Sequence, residues 1–380
     1  MGGSLHTPRV SFVATSRNDD HGGDLLTRTQ WFVDGLAAQA ERHGIATELV
    51  LVEWNPPVGS PPLADALRWP SASGTFETRI VTVPPDVHAE HDAADQIPLF
   101  QMIAKNVGIR RARGDLVAAT NVDILFSDRV FAALASVRGA KTLYRADRYD
   151  VDLSEGAPES FDEQLAACTE RVVRVNRREG VYVDGTRVSP VYQGLRDAIA
   201  YNVGALVTRS RTGRRRSEPQ RSSRPRGRGR TARQALSSLE ALVVLPALNV
   251  NACGDFTMLR GDAWDVLHGY PEWPLFSWNL DSVLLYQAWA SDFDLVDLPG
   301  PIFHIEHGRG WSPSGRDALF ARLRERGVPF MGDAELRSFA LEMRRARRRG
   351  RVEPINGPGW GMAERDLVEV SPTTIGSAHR

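Results

Sequence analysis

Several places in the chain set acids, amides or imidazoles beside a hydrophobic run. Leu116 to Phe126 reads LVAATNVDILF, a run of small and apolar residues of the kind that fills a buried strand, interrupted by Asn121 and Asp123. A carboxylate at the edge of a core needs a partner. On an extended backbone Asn121 and Asp123 share one face, with Val122 turned into the core. At a sheet's carboxyl edge such a carboxylate can hold a divalent cation. Mg²⁺ and Mn²⁺ commonly take one or two carboxylates and complete their shell with phosphate and water. A solvated or ion-paired aspartate opening a loop is the plainer alternative on spacing alone.

The other candidates come later. NACGDFTMLRGDAWDVLHGYPEW runs from Asn251 to Trp273, and Trp278 to Asp281 reads WNLD. Asp255 and Asp281 stand beside Phe256 and Trp278, where partial desolvation raises a carboxylate toward the working range of a general base. The competing role is an ion-paired aspartate or a helix start; Asp281-Ser282 ahead of VLLYQAW reads as one. Pro301 to Arg309 reads PIFHIEHGR. On a straight strand His304 and His307 point to opposite faces, so a shared cation requires a bend, and one of the two is expected as a ligand.

The elements that must position these groups alternate. VSFVAT (Val10 to Thr15), ELVLV (Glu48 to Val52), RIVTV (Arg79 to Val83) and the run from Leu116 read as strands. Between them, Leu25, Phe32, Leu36 and Ala40 mark one helix, stopped at His43-Gly44, and Ile97, Phe100, Ile103 and Val107 mark another, closed around Gly114. Continuously apolar strands alternating with helices predict an α/β fold, a mostly parallel sheet flanked by helices on both faces. In such sheets ligands bind at the carboxyl ends of the strands. Three of those ends are polar: Arg17, Asn18 and Asp19; Glu53 and Asn55; Asn121 and Asp123.

Of 380 residues, 42% are hydrophobic and 25% charged, as in ordinary globular proteins, and 47 basic side chains balance 47 acidic ones. Overall charge therefore predicts no nucleic-acid partner. Cys168 and Cys253 form no disulfide framework and read as free thiols of a reducing cytoplasm. The first residues carry no apolar leader and no window reaches transmembrane length, so a cytoplasmic protein with room for peripheral membrane contact is expected. Asp184-Gly185 within VYVDGTRV marks a hairpin. Arg209 to Arg233 carries eleven arginines and one glutamate and reads as a disordered insertion. MRRARRRGR, from Met343, reads as the solvated end of a helix.

In order, these motifs resemble a GT-A glycosyltransferase of the broad family-2 type, over Val10 to Trp311 with the arginine-rich insertion left out. Ala104 to Phe126 is similar to the family's segment leading into its DxD metal motif, with Asn121 in place of the first aspartate and Asp123 matching the last. Gly254 to Trp273 resembles the acceptor-side segment, Asp281 the second member of a Glu-Asp pair, and HIEHGRGW the C-terminal histidine region. The resemblance implies a GT-A (Rossmann-like) fold. Residues 1–207 and 241–312 would form one domain with nucleotide-sugar and acceptor parts, 208–240 the flexible insertion, and 313–380 a C-terminal helical extension. It also implies nucleotide-sugar binding by Thr15, Arg17, Asn18, Asp19, Glu53, Asn55, Lys105, Asn106 and Asn121. Asp123 with His304 or His307 would hold Mn²⁺ or Mg²⁺, and Asp281, with Asp255 as second candidate, would serve as base toward a glycan or other hydroxyl acceptor. From the residues alone, Trp273, Trp278 and Trp311 are candidates to stack on sugar rings, with buried aromatic packing as the default.

Two rivals predict differently. A sugar-nucleotide pyrophosphorylase needs a glycine-rich basic loop after the first strand, where this chain has TSRNDDHGG. An inactive scaffold acting through its arginines predicts salt-sensitive polyanion binding that disappears with Arg209 to Arg233.

Overall fold

The computed structural model describes residues 8–71, 73–156, 158–190, 248–307 and 313–372. The arginine-rich stretch and Trp311 lie outside them. Along the chain run β1 (Val10–Ser16), α1 (Leu25–His43), β2 (Thr47–Trp54), α2 (Leu63–Ala66), β3 (Phe76–Val83), α3 (Pro85–Ala89), α4 (Gln101–Arg111), β4 (Leu116–Thr120), β5 (Ile124–Phe126), α5 (Asp128–Leu134) and β6 (Thr142–Val151). Then come α6 (Phe161–Glu170), β7 (Val172–Arg177), β8 (Gly180–Val183), β9 (Thr186–Pro190), β10 (Phe256–Arg260), α7 (Gly261–Leu267) and α8 (Leu280–Ala290). The described chain finishes with β11 (Asp294–Ile305), α9 (Pro313–Glu325), α10 (Asp333–Arg348) and β12 (Val368–Val370).

The strands form one sheet in the order β12-β3-β2-β1-β4-β10-β6-β7-β8-β9, with β11 pairing both β5 and β6. β3, β2, β1 and β4 are parallel. Their unbroken apolar runs follow from burial on both faces. Phe12, Ala14, Leu49 and Leu51 pack with Phe32 and Leu36 of α1, while Val13, Val50 and Val52 pack with Ile103 and Val107 of α4. This parallel block holds the carboxyl edge where ligands bind in such sheets. Beyond it β10 runs antiparallel to β4 and β6, and the sheet continues through the antiparallel β7, β8 and β9. Asp184 and Gly185 take φ of 48° and 71°, the left-handed pair that joins β8 to β9 as the sequence predicts.

Three elements differ from the sequence reading. The run from Leu116 is two strands, because the chain changes neighbours: β4 pairs with β1 and β10, β5 with β11. Asn121 to Asp123 form the turn between them. The helix expected from Ile97 begins at Gln101, since Pro98 keeps the residue before it out of helical geometry. After α10 the described chain has only a 3-10 turn, Trp360–Met362, and no further α-helix: Asn356 bonds to the carbonyls of His268 and Tyr270, Trp360 is buried, and β12 adds an antiparallel strand beside β3. Cys168 and Cys253 are free and buried. Among the described residues, no helix is long and apolar enough to cross a membrane.

Candidate metal and donor site

Register brings the first cluster together. β11 lies antiparallel to β5 with His304 opposite Ile124, and the Ile305 N–H donates to the Asp123 carbonyl. His304 thus reaches the Asp123 carboxylate, its Nε2 3.6 Å from Oδ2. The strand ends at Ile305, Glu306 is drawn to Arg174 (2.9 Å), and the bend carries His307 back to the same oxygen, Nε2 to Oδ2 at 3.0 Å. The bend required for a shared cation is therefore present, and both histidines face Asp123 rather than one. Asp123 Oδ1 is buried without a hydrogen-bond partner. The His304, His307 and Asp123 donor atoms lie within 4.8 Å of one another. A buried carboxylate with one oxygen facing two imidazoles and the other without a partner fits a divalent cation.

A second layer fixes the first. His304 Nδ1 contacts Asp150 Oδ1 at 2.8 Å. A proton on Nδ1 leaves Nε2 as the ligand atom, the usual arrangement of a metal-bound histidine backed by a carboxylate. Asp150 is itself held by Arg148, Arg174 and Asn176, each at 2.7 Å. Asp150, His304 and Glu306 also converge, but with Asp150 and Glu306 already bound to arginines that trio is the support of the site. Burial alone would raise the Asp123 carboxyl; the facing His304 and His307 hold it well below the usual range. Burial and the Arg148 charge press the His304 imidazole down, yet Asp123 and Asp150 outweigh them and leave it at about 9.

Arg148 carries the network onward. It pairs with Asp255 Oδ2, while Asp255 Oδ1 accepts from Asn121 Nδ2 at 2.6 Å. Asp255 is thus bound by a cation and an amide, and the apolar setting expected from Phe256 is replaced by an ion pair. Phe256 itself points into the core. Asn121 Oδ1 accepts from Lys105 Nζ at 2.8 Å, and Lys105 also donates to the Gly254 carbonyl at 2.6 Å. Asn121 therefore faces Lys105 and Asp255 while Asp123 faces the histidines, which separates two residues expected on one face. Lys105 is fully buried; that burial lowers it to about 8 against the opposing pull of Asp255, Asp281 and Asp123. Asp281 lies in the first turn of α8, accepting from the Ser282 N–H at 2.8 Å, with Oδ2 turned toward Gly254.

The strand ends divide. After β1, Arg17 pairs with Asp19 (2.7 Å) and donates to the Asn55 carbonyl (2.7 Å), and Asn18 Nδ2 donates to the Pro61 carbonyl. Thr15 Oγ1 is buried without a partner. Asn55 takes a left-handed φ of 47° and donates to the Pro98 carbonyl. Glu53 is turned inward, where its carboxylate accepts the Leu63 N–H; burial, with Asp65 nearby, raises it despite that bond. Asn106 is not at the site: its amide is spent on the Tyr270 backbone and Glu272, since neighbours on a helix point about 100° apart and Lys105 takes the inward direction. Trp273 and Trp278 pack edge-on against Phe339 and Phe320 of the C-terminal helices.

Arg145, Arg148, Asp150, Arg174 and Asn176 escaped the sequence reading. Their signal was partial alternation: Arg148 and Asp150 in YRADRYDV, and Arg174 and Asn176 in VVRVNR, stand two positions apart among β-formers. Arg145 is buried and holds the carbonyls of Asn249, Asn251 and Cys253.

No protein-family model and no curated protein matches this chain. Among solved structures it is similar to the mannosyltransferase PcManGT from Pyrobaculum calidifontis in complex with GDP-Man and Mn²⁺, at 12% identity over 90% of this chain and 70% of that one, TM-score 0.38. It is similar to a mycobacterial protein at 13% identity over 86% and 77% of the two chains, TM-score 0.36. GalNAc-T7 with UDP, GalNAc and Mn²⁺ shares 12% identity over 94% of this chain and 56% of its own, TM-score 0.39. Overlap this slight carries no weight for a reaction, which rests on the side chains described above.

Proposed function

We propose that this protein is a glycosyltransferase moving a sugar from a nucleoside-diphosphate donor to an acceptor hydroxyl. The observation that carries the reading is the buried, unpartnered Oδ1 of Asp123 beside two imidazoles at the carboxyl edge of a parallel sheet. Asp123, His304 and His307 would hold the cation. Two nitrogens and a carboxylate suit Mn²⁺ better than Mg²⁺, which favours oxygen ligands. When bound, it neutralises charge on a diphosphate leaving group. Arg17, Asn18, Asp19 and Asn55 would line the nucleotide end. Lys105, Asn121 and Asp255, bonded to one another through Asn121, would brace the site from beneath. Asp281 would take the proton of the acceptor hydroxyl as its oxygen bonds to the anomeric carbon and the bond from that carbon to the diphosphate breaks.

Thermal unfolding with UDP, GDP and their sugars, with and without Mn²⁺, tests this. A ligand that binds only the folded state raises the melting temperature. A shift that requires Mn²⁺ and is lost in Asp123→Ala is expected. No shift with any nucleotide would refute the reading.

A further inference from the structure

The loop after β1, Asp20-His21-Gly22-Gly23-Asp24, has no role in the site so far. Gly22 and Gly23 have φ of 75° and 74°, and Asp20 and Asp24 are left-handed too, at 54° and 49°. The loop is pinned. Arg28, buried in α1, donates to the carbonyls of Gly23 and, at 2.7 Å, His21; the Leu25 N–H donates to Asp20 Oδ1 at 3.1 Å. What it is pinned against is His307. A Cβ added to Gly22 would overlap His307 Nδ1, with the ring carbons next, whereas one added to Gly23 would meet nothing within 4 Å. The His21 ring stands edge-on to His307, centroids 6.1 Å apart.

His307 follows the end of β11, so no strand hydrogen bond fixes its ring. One side of the imidazole reaches Asp123; the other rests on the Gly22 backbone. We infer that Gly22 is a positioning residue for His307, its missing side chain setting the ring where it can share a cation with Asp123 and His304. The inference rests on reading those three residues as cation ligands. It makes the β1 loop a wall of the cation site as well as an edge of the nucleotide end. Gly23, with the same backbone geometry and open space around it, separates this role from backbone strain, which both positions share.

The test compares Mn²⁺ uptake, followed by the EPR signal of free Mn²⁺, in the full chain and in Gly22→Ala, Gly23→Ala, His307→Ala and Arg28→Met. Gly22→Ala is expected to weaken Mn²⁺ binding by about tenfold or more, as His307→Ala does, since supports of metal ligands are worth that much. Gly23→Ala should bind as the unaltered chain does, although the backbone strain it shares with Gly22→Ala lowers its melting temperature. Arg28→Met frees the loop without adding an atom beside His307 and should also weaken Mn²⁺, which decides the matter if Gly22→Ala does not fold. Gly22→Ala or Arg28→Met binding Mn²⁺ like Gly23→Ala, while His307→Ala loses it, would overturn the inference and leave the cation site standing. An unaltered chain that takes up no Mn²⁺ would overturn both.

Discussion

Raising the pH of the metal-free protein should weaken its fold through His304. In the folded chain this imidazole keeps its proton to about 9, against an ordinary value of 6.5. Between those values the folded state binds a proton that the unfolded state has released, so stability falls as pH rises. The contribution is complete below 6.5 and is lost through about 9. Each unit of separation is worth about 1.36 kcal/mol, so going from 6.5 to about pH 8 withdraws on the order of 2 kcal/mol. Asp147, raised by burial to about 6, acts below this range. Lys105, lowered by burial to about 8 from 10.5, acts with opposite sign from about pH 8 upward and offsets the upper end of the His304 window, so the stretch from 6.5 to about pH 8 is the one to read. Urea unfolding in EDTA across the window gives the slope directly. The unaltered chain should lose stability and His304→Gln should stay flat. Mn²⁺ should reverse the trend, since it binds imidazoles that have shed their protons. A flat profile in the unaltered chain, or an equal slope in His304→Gln, would refute the Asp123–His304–Asp150 electrostatics.

Asp281→Asn should keep the Mn²⁺-dependent nucleotide shift yet slow release of nucleoside diphosphate in the presence of acceptor by about a hundredfold or more, the usual worth of a general base. Unchanged turnover would move the base elsewhere. Asn106→Ala should cost about 2 kcal/mol in urea unfolding, because it strips partners from the buried Tyr270 backbone and Glu272. It should leave nucleotide binding intact, and loss of that binding from a folded variant would return Asn106 to the donor site.

The parallel block was readable because its strands are buried on both faces and so spell themselves as continuous apolar runs, as VSFVAT and ELVLV do. Asp123 and the two histidines were readable as chemical types, but their union depends on pairing between β5 and β11, some 180 residues apart in the chain, and on a bend made by Arg174 pulling Glu306. Local spacing carries no trace of either. The same limit explains Asp255: Phe256 stands next to it in sequence, but Arg148 stands next to it in space. Asn106 and Glu53 looked like site residues because they flank site elements. Helix rotation turns one to Tyr270, and the segment at Leu63 caps the other.

The pairing of β12 with β3 also orders the making of this protein. Thr82 leaves the ribosome long before its partner Val368, and the Arg111 side chain likewise waits for the carbonyls of Gly361, Met362 and Arg365. Until those residues emerge, β3 is a bare edge able to recruit strands from other nascent chains. The strands that position Asp123, His304 and His307 can pair once β11 has formed, while that edge is still open, so the margin left exposed during synthesis is β3 and not the strands of the candidate cation site.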